Sequence, residues 1–473
     1  MLIKLLKHAF VACACVYTLN AQETQNISLQ ACIEIALAHN LDLKAADLRA
    51  ETETIQFKQS RNALLPSINA NYNLGLSNGR SIDPFTNSYV NEELTYSNAG
   101  LSINTTIFDG FRILNTLKQN SLNKAAAEME IEEARQNLVL DVTLSFLQVL
   151  NFRELVKLAE TRLITSKEQL NRLHKLQEEE TGDPVAYHDL QGQVALDQTA
   201  VNDAKNSLNN ALADLKFLLN TERPIEASQL VLLLDLEPRS DTADAVYEAA
   251  LHNLAAVKAK ELREEAAAKG VAVARAQYAP QISLFANFGT NYSSAARLFE
   301  DAGTQTVQTG DFVRLDGTDY AVFTQEGLFE ASPISYTDQF NNNLNSAAGV
   351  SVSIPIFNGF QAKNAVQLQK VNRDQASVIL EQTKRALKQN ITRAYNDLNA
   401  AYSNYQLLEA QVEAYEESFR INEVKFNLGV STSVAYITSK NNLDNARINL
   451  TNARYAYLLT SRILDYYSGR IAM

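Results

Sequence analysis

A twelve-residue segment that occurs twice constrains the fold of this chain more than any other feature. Residues 100–111 have the sequence GLSINTTIFDGF, and residues 349–360 have the sequence GVSVSIPIFNGF. Apolar and small polar residues alternate in both copies, which is typical of a strand with two different faces. Each copy ends in a short turn, Asp109-Gly110 or Asn358-Gly359, before a very long helical pattern begins. The sequence therefore predicts two strands that each lead into a long helix.

A second pair of alternating segments lies before the first pair, and each member follows a proline. Serine and asparagine occupy one face of these segments, and apolar residues occupy the other. A membrane barrel with water inside and lipid outside has this pattern. We expect a long polar loop at residues 291–345. The predicted barrel strands are at about 66–78, 99–109, 280–292 and 347–358.

The long helical patterns also occur twice. Residues 111–181 and 360–428 contain neither glycine nor proline, and each run is long enough for a helix of roughly 100 Å. Apolar residues at alternating steps of three and four along the second run indicate a coiled coil. Gly182 and Gly429 follow the runs, and we expect each to end a helix with a positive φ. A second helix then returns, which completes predicted helical hairpins at 110–219 and 359–468.

A constant spacing between matching residues indicates an internal duplication. Gly100 and Gly349, for example, are 249 residues apart, and the same spacing relates the ends of the two predicted hairpins. We therefore predict a first repeat at residues 22–238 and a second at residues 239–473. Each repeat has a helix, two barrel strands and a long helical hairpin, and the first repeat ends in a connector.

The amino-terminal segment and the charge balance restrict the location and the partners of the protein. Residues 1–21 combine two lysines, an apolar stretch and a small final residue, which predicts a secretory signal peptide. A lipid anchor at Cys13 is the alternative. Removal of this segment changes the net charge from −12 to −14, which argues against a nucleic-acid partner. It also leaves Cys32 as the single cysteine, which excludes an internal disulfide.

Four strands are too few to close a membrane barrel. The smallest membrane barrels have about eight strands. An open sheet edge in lipid would leave several peptide groups unpaired, each at a cost of a few kcal/mol. We therefore expect several copies of the chain to share one barrel around a symmetry axis. The composition leaves two, three or four copies open.

Several segments resemble those of the TolC-like outer-membrane efflux factors. They are IFDGF at 107–111, its copy PIFNG at 355–359, ALAHN at 36–40, and the final run at 427–469 that begins NLGVSTSVAY. The resemblance implies an α+β membrane protein that assembles as a homotrimer. Its three copies would share a twelve-stranded transmembrane β-barrel in the outer membrane. Their long coiled-coil helices would form an α-barrel that continues the duct across the periplasm.

The resemblance also implies a function. It implies a passive export duct of a tripartite efflux or type I secretion system, in contact with outer-membrane lipid. The implied partners are a periplasmic adaptor (membrane fusion) protein and an inner-membrane pump of the RND or ABC type. We expect no catalysis, no cofactor and no metal site. The alternative function is a periplasmic coiled-coil scaffold or a surface adhesin without a pore.

The residues that close the periplasmic entrance in well-known members differ here. Those members have a tyrosine and an arginine near the second tip, linked to an aspartate of the first hairpin. The resemblance places the aspartate at Asp189, the tyrosine at Phe426 and the arginine at Ser431. Two entrance acids of those members are replaced by Ala435 and Thr438. The known link is therefore incomplete in this chain.

We hypothesise that a different set, Tyr187, Asp189 and Tyr436, holds the entrance. The first tip carries a group of acids, which either attract cations to a narrow opening or are a solvated helix end. These acids are Glu178, Glu179, Glu180 and Asp183. The resemblance implies contact with the adaptor at both tips, through Gly182 and through Leu428, Gly429 and Val430.

Overall fold

The computed structural model describes residues 26–82, 87–221, 224–231 and 239–470. The predicted signal peptide at 1–21, with Cys13, lies outside the described residues. The described residues form nine α-helices: α1 (Leu29–His39), α2 (Leu41–Asn62), α3 (Arg112–Glu178), α4 (Pro184–Leu219), α5 (Ala243–Asn253), α6 (Ala255–Arg275), α7 (Tyr336–Asn342), α8 (Gln361–Asn427) and α9 (Ser433–Ser468). They also form eight β-strands: β1 (Ile27–Ser28), β2 (Ser67–Ile82), β3 (Tyr89–Phe108), β4 (Leu230–Val231), β5 (Gln281–Ser293), β6 (Arg297–Leu315), β7 (Thr318–Pro333) and β8 (Asn345–Ser353).

The chain divides into two compact units, and each contains residues from both predicted repeats. The first, called the helical unit, comprises the described residues within 26–54, 122–265 and 374–470. The second, called the sheet unit, comprises residues 55–121 and 266–373.

The two long helical hairpins have equal lengths. Helices α3 and α8 each contain 67 residues, and the return helices α4 and α9 each contain 36. Neither long helix contains a glycine or a proline, the residues that most often interrupt helices. These matched lengths support the proposed duplication.

Apolar seams form the core of the helical unit. One cluster joins α1, α3 and α4, with Phe146, Leu147 and Leu215 almost fully buried. Another joins α5, α8 and α9 around Ile391 and Leu464. The first part of the predicted α8 seam is buried in these contacts, as the coiled-coil pattern predicts. Within the described ranges, no helix is both long enough and apolar enough to cross a bilayer.

The sheet unit contains a four-stranded antiparallel sheet in the order β2-β3-β5-β8, so β2 and β8 are its edges. The predicted apolar face is exposed, with Ile68, Leu74 and Leu76 each more than 60% accessible. Strand β3 begins ten residues earlier than expected because it pairs with all of β2, from Tyr89 opposite Ile82 to Asn104 opposite Ser67. Strand β8 ends at Ser353, not at 358, because Pro355 has no N–H to donate to a neighbouring strand.

The prediction of a long loop at residues 291–345 is wrong. Strands β6 and β7 form an antiparallel hairpin there, and α7 follows it. The hairpin turn consists of Asp316 and Gly317, with φ values of 49° and 84°. An Asp-Gly pair is a strong hairpin signal because both positions require positive φ. The abundant polar residues obscured this signal in the sequence.

Candidate functional site: the hairpin tips and a buried ion cluster

The two strand-to-helix turns have the same backbone geometry. Gly110 and Phe111 have φ values of 67° and 64°, and Gly359 and Phe360 have values of 61° and 62°. Such a left-handed pair reverses the chain tightly, which is why a glycine occupies the first position. In both turns the phenylalanine forms a T-shaped contact with an earlier aromatic ring, at 5.4 and 5.5 Å. The predicted turns are therefore matched in structure.

The residues before the two glycines differ in chemistry. The buried carboxylate of Asp109 accepts a hydrogen bond from the Ile113 N–H at 3.3 Å and forms an ion pair with Arg112 at 3.2 Å. It thereby satisfies the exposed donors at the start of α3. A side chain on Gly110 would collide with Ala279, whereas nothing lies within 4 Å of a Cβ placed on Gly359.

The first tip comprises residues 179–183, and its backbone differs from the prediction. The expectation that Gly182 ends α3 with a positive φ is wrong, because Glu180 takes that conformation, at 57°. The Thr181 N–H closes the helix end by donating to the Leu176 carbonyl at 3.0 Å. Gly182 is needed for another reason: a Cβ there would lie 2.8 Å from the Gln177 backbone nitrogen. Asp183 begins α4 by accepting from the Val185 N–H at 2.9 Å.

The second tip comprises residues 428–432, and Gly429 ends α8 with a φ of 74°, as predicted. The Val430 N–H donates to the Lys425 carbonyl at 2.9 Å. Leu428 and Val430 are each 73% exposed. Glu180 lies 249 residues before Gly429, so the two residues occupy equivalent positions. The first tip therefore presents a carboxylate where the second presents glycine between two apolar side chains.

The acids of the first tip are solvent-exposed. Glu178, Glu179, Glu180 and Asp183 are all exposed in the single chain. His174 Nδ1 lies 3.5 Å from a Glu178 carboxylate oxygen. A cation-attracting role for these acids stays a prediction.

Aromatic residues fill the interior behind the second tip. Tyr436 is fully buried and stacks on Phe426 with ring centroids 4.9 Å apart, and Phe419 lies 5.6 Å away. Its hydroxyl has no hydrogen-bond partner among the described residues, and burial raises the pKa of Tyr436 above its usual range. Phe426 has no hydroxyl, and its ring instead packs face to face on the ring of Tyr436. Tyr436 belongs to the core of this tip.

Asp189 connects the two hairpins. The Ser433 hydroxyl, in the first turn of α9, donates to the Asp189 carboxylate at 2.8 Å. Ser431 is half-buried in the turn that precedes it. Tyr187 lies against the rings of His174 and His188, at 5.9 and 5.4 Å. The structure thus provides Asp189 with a partner, Ser433, that the sequence comparison did not identify.

A second connection joins α3 to the end of α8. Arg172 Nη2 donates to the Asn427 carbonyl oxygen at 2.6 Å, and Gln169 Nε2 donates to the Asn427 side-chain oxygen at 3.1 Å. The carboxyl end of a helix carries a partial negative charge, so a guanidinium there is favourable.

Four charged side chains, called the ion cluster, lie between α3, α4 and α9. They are Arg162, Asp197, Lys440 and Asp444. Arg162 Nε lies 2.5 Å from one Asp197 oxygen, and Lys440 Nζ lies 3.1 Å from the other. Lys440 also pairs with Asp444 at 2.8 Å, and Arg162 pairs with Asp444 at 3.4 Å. Two cations and two anions therefore balance.

The ion cluster is buried, and neutral side chains complete its hydrogen bonding. Asp197 is 0% exposed and Lys440 is 2% exposed. Ser166 donates to one Asp197 oxygen, and Gln193 donates to the other at 2.8 Å. Burial alone would raise the pKa of Asp197. The hydrogen bond from Ser166 and the charges of Lys440 and Arg162 outweigh burial, and the pKa of Asp197 is lowered.

The sequence analysis missed the ion cluster, although a signal was present. Lys440 lies four residues after Tyr436 and three before Leu443, which are seam residues of α9. Asp197 lies four residues before Val201 on the seam of α4. A charge at a seam position is disfavoured unless an opposite charge on a neighbouring helix compensates it.

Comparison with known proteins identifies the family. The model of the family described as "Outer membrane efflux protein" matches residues 32–221 and 246–470. The chain belongs to this family. It is therefore an outer-membrane efflux-channel protein that extends into the periplasm. The family is one of passive channels.

Individual relatives agree with this assignment. The chain is 25% identical over 424 residues to outer membrane protein TolC of Escherichia coli (strain K12), covering 88% of this chain and 76% of the relative. It is 24% identical over 450 residues to the toluene efflux pump outer membrane protein TtgC of Pseudomonas putida, covering 93% of this chain and 82% of the relative. A crystal structure of a membrane protein from Pseudomonas aeruginosa superimposes with a TM-score of 0.75 at 16% identity, covering 93% of this chain and 90% of that one.

The fold is that of one subunit of a trimeric outer-membrane channel. The four strands of the sheet unit are one third of a shared twelve-stranded barrel, and the long helices contribute to an α-barrel. Strands β2 and β8 are the edges of the sheet in the single chain, and they are the strands through which a shared barrel would be closed between copies. The prediction of barrel sharing is confirmed.

Proposed function

We propose that three copies of this chain form a passive export duct that docks to a periplasmic adaptor protein and is driven by an inner-membrane pump. The observation that carries this proposal is the pair of equal helical hairpins, each ending in a solvent-exposed tip. A duct has no need for its own energy source or catalytic group. The alternative of a scaffold without a pore does not account for four strands that require a shared barrel.

The second tip supports docking to an adaptor. Leu428 and Val430 expose apolar side chains at the end of a hairpin, on either side of Gly429. Exposed apolar groups at a tip favour contact with another protein. Gly429 has no side chain, so the backbone of a partner can approach it closely. The first tip, with its carboxylates, would contact a different and more polar part of the adaptor.

Export by cells tests the docking surface. Leu428→Ser combined with Val430→Ser should abolish most of the export supported by the cognate adaptor and pump, while leaving trimer assembly unchanged. Phe217→Ser is the matched control because Phe217 is 80% exposed and lies far along α4 from either tip. Full export by the double variant would contradict docking at this tip.

Planar-bilayer recording tests the passive duct. The purified mature trimer should carry a small, stable current without nucleotide, adaptor or pump. The current should favour cations if the acids of the first tip line the opening. Folded trimer that inserts into the bilayer and gives no current under any voltage would contradict the duct and favour the scaffold.

Entrance closure is the remaining part of the proposal. The ion cluster and the bond from Ser433 to Asp189 both join α9 to the first hairpin, and neither involves Phe426 or Ser431. We propose that these contacts keep α9 in a closed position, in place of the link that the resemblance implies. Opening the entrance would then require their separation.

A further inference from the structure

The β6–β7 hairpin has no partner within the described part of the chain. Its two strands pair with each other, and no other described element packs substantially against them. Strand β7 contains 16 residues, so the hairpin extends roughly 50 Å. An isolated two-stranded hairpin is marginally stable in water. A hairpin of this length therefore needs something to cover it.

The register places four phenylalanines on one side of the hairpin. Residues paired across two antiparallel strands share a face, as do every second residues along one strand. Phe312 pairs with Ala321, and Phe299 pairs with Ala331. Phe323 and Phe329 lie an even number of residues from these alanines along β7, so they point to the same side. The Phe face is therefore Phe299, Phe312, Phe323 and Phe329. These side chains are 60 to 66% exposed.

The opposite face carries three glutamates among smaller apolar side chains such as Leu298 and Leu315, whereas Asp301 and Asp319 lie on the same side as the phenylalanines. The register places Glu326 on the opposite face, and also the directly paired Glu300 and Glu330. Residues 297–333 contain seven acidic and two basic residues, a net charge of −5. Burial of the Phe face would leave these glutamates in water. The charge opposes binding to an anionic lipid surface, which attracts basic segments.

The root of the hairpin is rigidly held in the sheet unit. The Gln339 side chain is 1% exposed; it donates to the carbonyls of Ser293 and Ile334 at 3.0 Å and accepts from the Ser293 N–H at 2.9 Å. Tyr336 stacks on Phe340 with ring centroids 4.4 Å apart. The hairpin therefore leaves the sheet at a defined position, where β5 ends.

That position is close to the boundary between copies. Strand β5 pairs with β8, and β8 is one of the two edges through which a shared barrel would be closed between copies. Neighbouring strands are about 4.8 Å apart, so the root lies roughly 10 Å from the next copy. Three hairpins thus begin around one end of the barrel, each beside a neighbouring copy. The Phe face therefore begins beside the interface between copies that the shared barrel requires.

We propose that the Phe faces of three copies of this chain converge on the three-fold axis and pack together as a collar beyond the barrel. Identical faces can meet at such an axis, with each contacting the other two. The phenylalanines would then be covered, and Glu300, Glu326 and Glu330 on the opposite face would point outward to water. This collar rests on the trimer of the proposed function.

Cysteine crosslinking of the trimer tests the collar. Phe323→Cys lies on the Phe face, and Tyr320→Cys is the matched control on the opposite face, where Tyr320 is 56% exposed. A short bismaleimide should convert most Phe323→Cys protein to covalent dimers and trimers and leave Tyr320→Cys as monomer on a denaturing gel. Phe299→Cys, near the root, repeats the test at a second position. Cys32 should not react, since burial raises the pKa of its thiol to about 11.

Two measurements separate the other outcomes. Light scattering in detergent reports the trimer independently: an intact trimer without crosslinks at Phe323→Cys and Phe299→Cys would overturn the collar alone. Absence of a wild-type trimer would overturn both the collar and the proposed function. The third outcome is contact with lipid. If Phe323→Cys does not crosslink and a bimane label on it is quenched by spin-labelled phospholipid, the Phe face contacts lipid and the collar is overturned.

Discussion

The tips of the two helical hairpins share their backbone geometry and differ in the side chains that they present. Glu180 and Gly429 are equivalent, and both take positive φ at a helix end, but one is a carboxylate and the other has no side chain. Asp183 and Thr432, also equivalent, begin the return helices through the same kind of side-chain hydrogen bond. Equivalent positions of the two tips therefore keep the same geometry and differ in surface chemistry.

The ion cluster shows the same divergence inside the protein. Each of its members is matched, 249 residues away, by an uncharged residue in the other half. The equivalents of Arg162, Asp197, Lys440 and Asp444 are Gln411, Ala446, Gln191 and Ala195. Each half thus contributes one cation and one anion, which pair with each other and also with the charges of the other half. The cluster thereby joins the return helix of the second hairpin, α9, to both helices of the first hairpin.

The largest expected effect comes from removing the aspartate at the centre of the cluster. Asp197→Ala would leave Arg162 and Lys440 with Asp444 as their remaining partner. Removing one partner of a buried pair costs about 3 to 5 kcal/mol. Amide exchange in the first three turns of α9 should accelerate by at least about 100-fold, because roughly 1.4 kcal/mol corresponds to a factor of ten. Closed-state conductance should rise as well.

The control for this variant lies on the same two helices. Glu160 and Lys205 also connect α3 with α4, at 2.7 Å, but both are about half exposed. Exposed ion pairs contribute about 0 to 1 kcal/mol. Glu160→Ala should therefore leave exchange in α9 almost unchanged. Equal exchange rates in Asp197→Ala and Glu160→Ala would contradict a structural role for the ion cluster.

Acid should release the ion cluster only below the ordinary range of carboxyl groups. The pKa of Asp197 is lowered in the folded protein, so its contribution to stability is fully present above the unfolded pKa, about 3.9, and is lost as pH falls through the folded value. The charged groups that face it are Arg162 on α3 and Lys440 and Asp444 on α9. Conductance of the wild type should therefore stay low down to about pH 4. A rise between about pH 6 and pH 4 in wild type that Asp197→Asn does not show would contradict this assignment.

A smaller effect, of opposite sign in the two halves, is expected at the tips. Gly429→Ala places a Cβ on a residue with a φ of 74°, which should destabilise the second tip by about 1 kcal/mol. Glu180→Gly removes a Cβ from a residue with a φ of 57° and should stabilise the folded first tip by a similar amount. The greater backbone entropy of glycine in the unfolded chain should offset part of this gain. Local amide exchange at each tip measures both. Changes of the same sign would show that the tips are not equivalent in backbone geometry.

The sequence predicted the elements better than the contacts between them. The alternating strands and the uninterrupted helices follow from local periodicity, which is why β2, β5, α3 and α8 lie close to their predicted positions. The β6–β7 hairpin was missed because its one strong signal, Asp316-Gly317, lies among polar residues typical of a loop. Ser433 was missed as the partner of Asp189 because a hydrogen bond across 244 residues leaves no periodic pattern.

The smallest expected effect concerns that hydrogen bond. Asp189 is exposed, so the loss of the Ser433 donor should cost only about 0.5 to 1.5 kcal/mol. Ser433→Ala and Asp189→Ala should then raise closed-state conductance slightly and to the same extent, and the double variant should add nothing, because each removes one interaction. Unchanged conductance in Asp189→Ala would remove this residue from the entrance and leave α9 held by the ion cluster. A much larger effect of Asp189→Ala than of Ser433→Ala would instead indicate that the carboxylate has a second partner in the trimer.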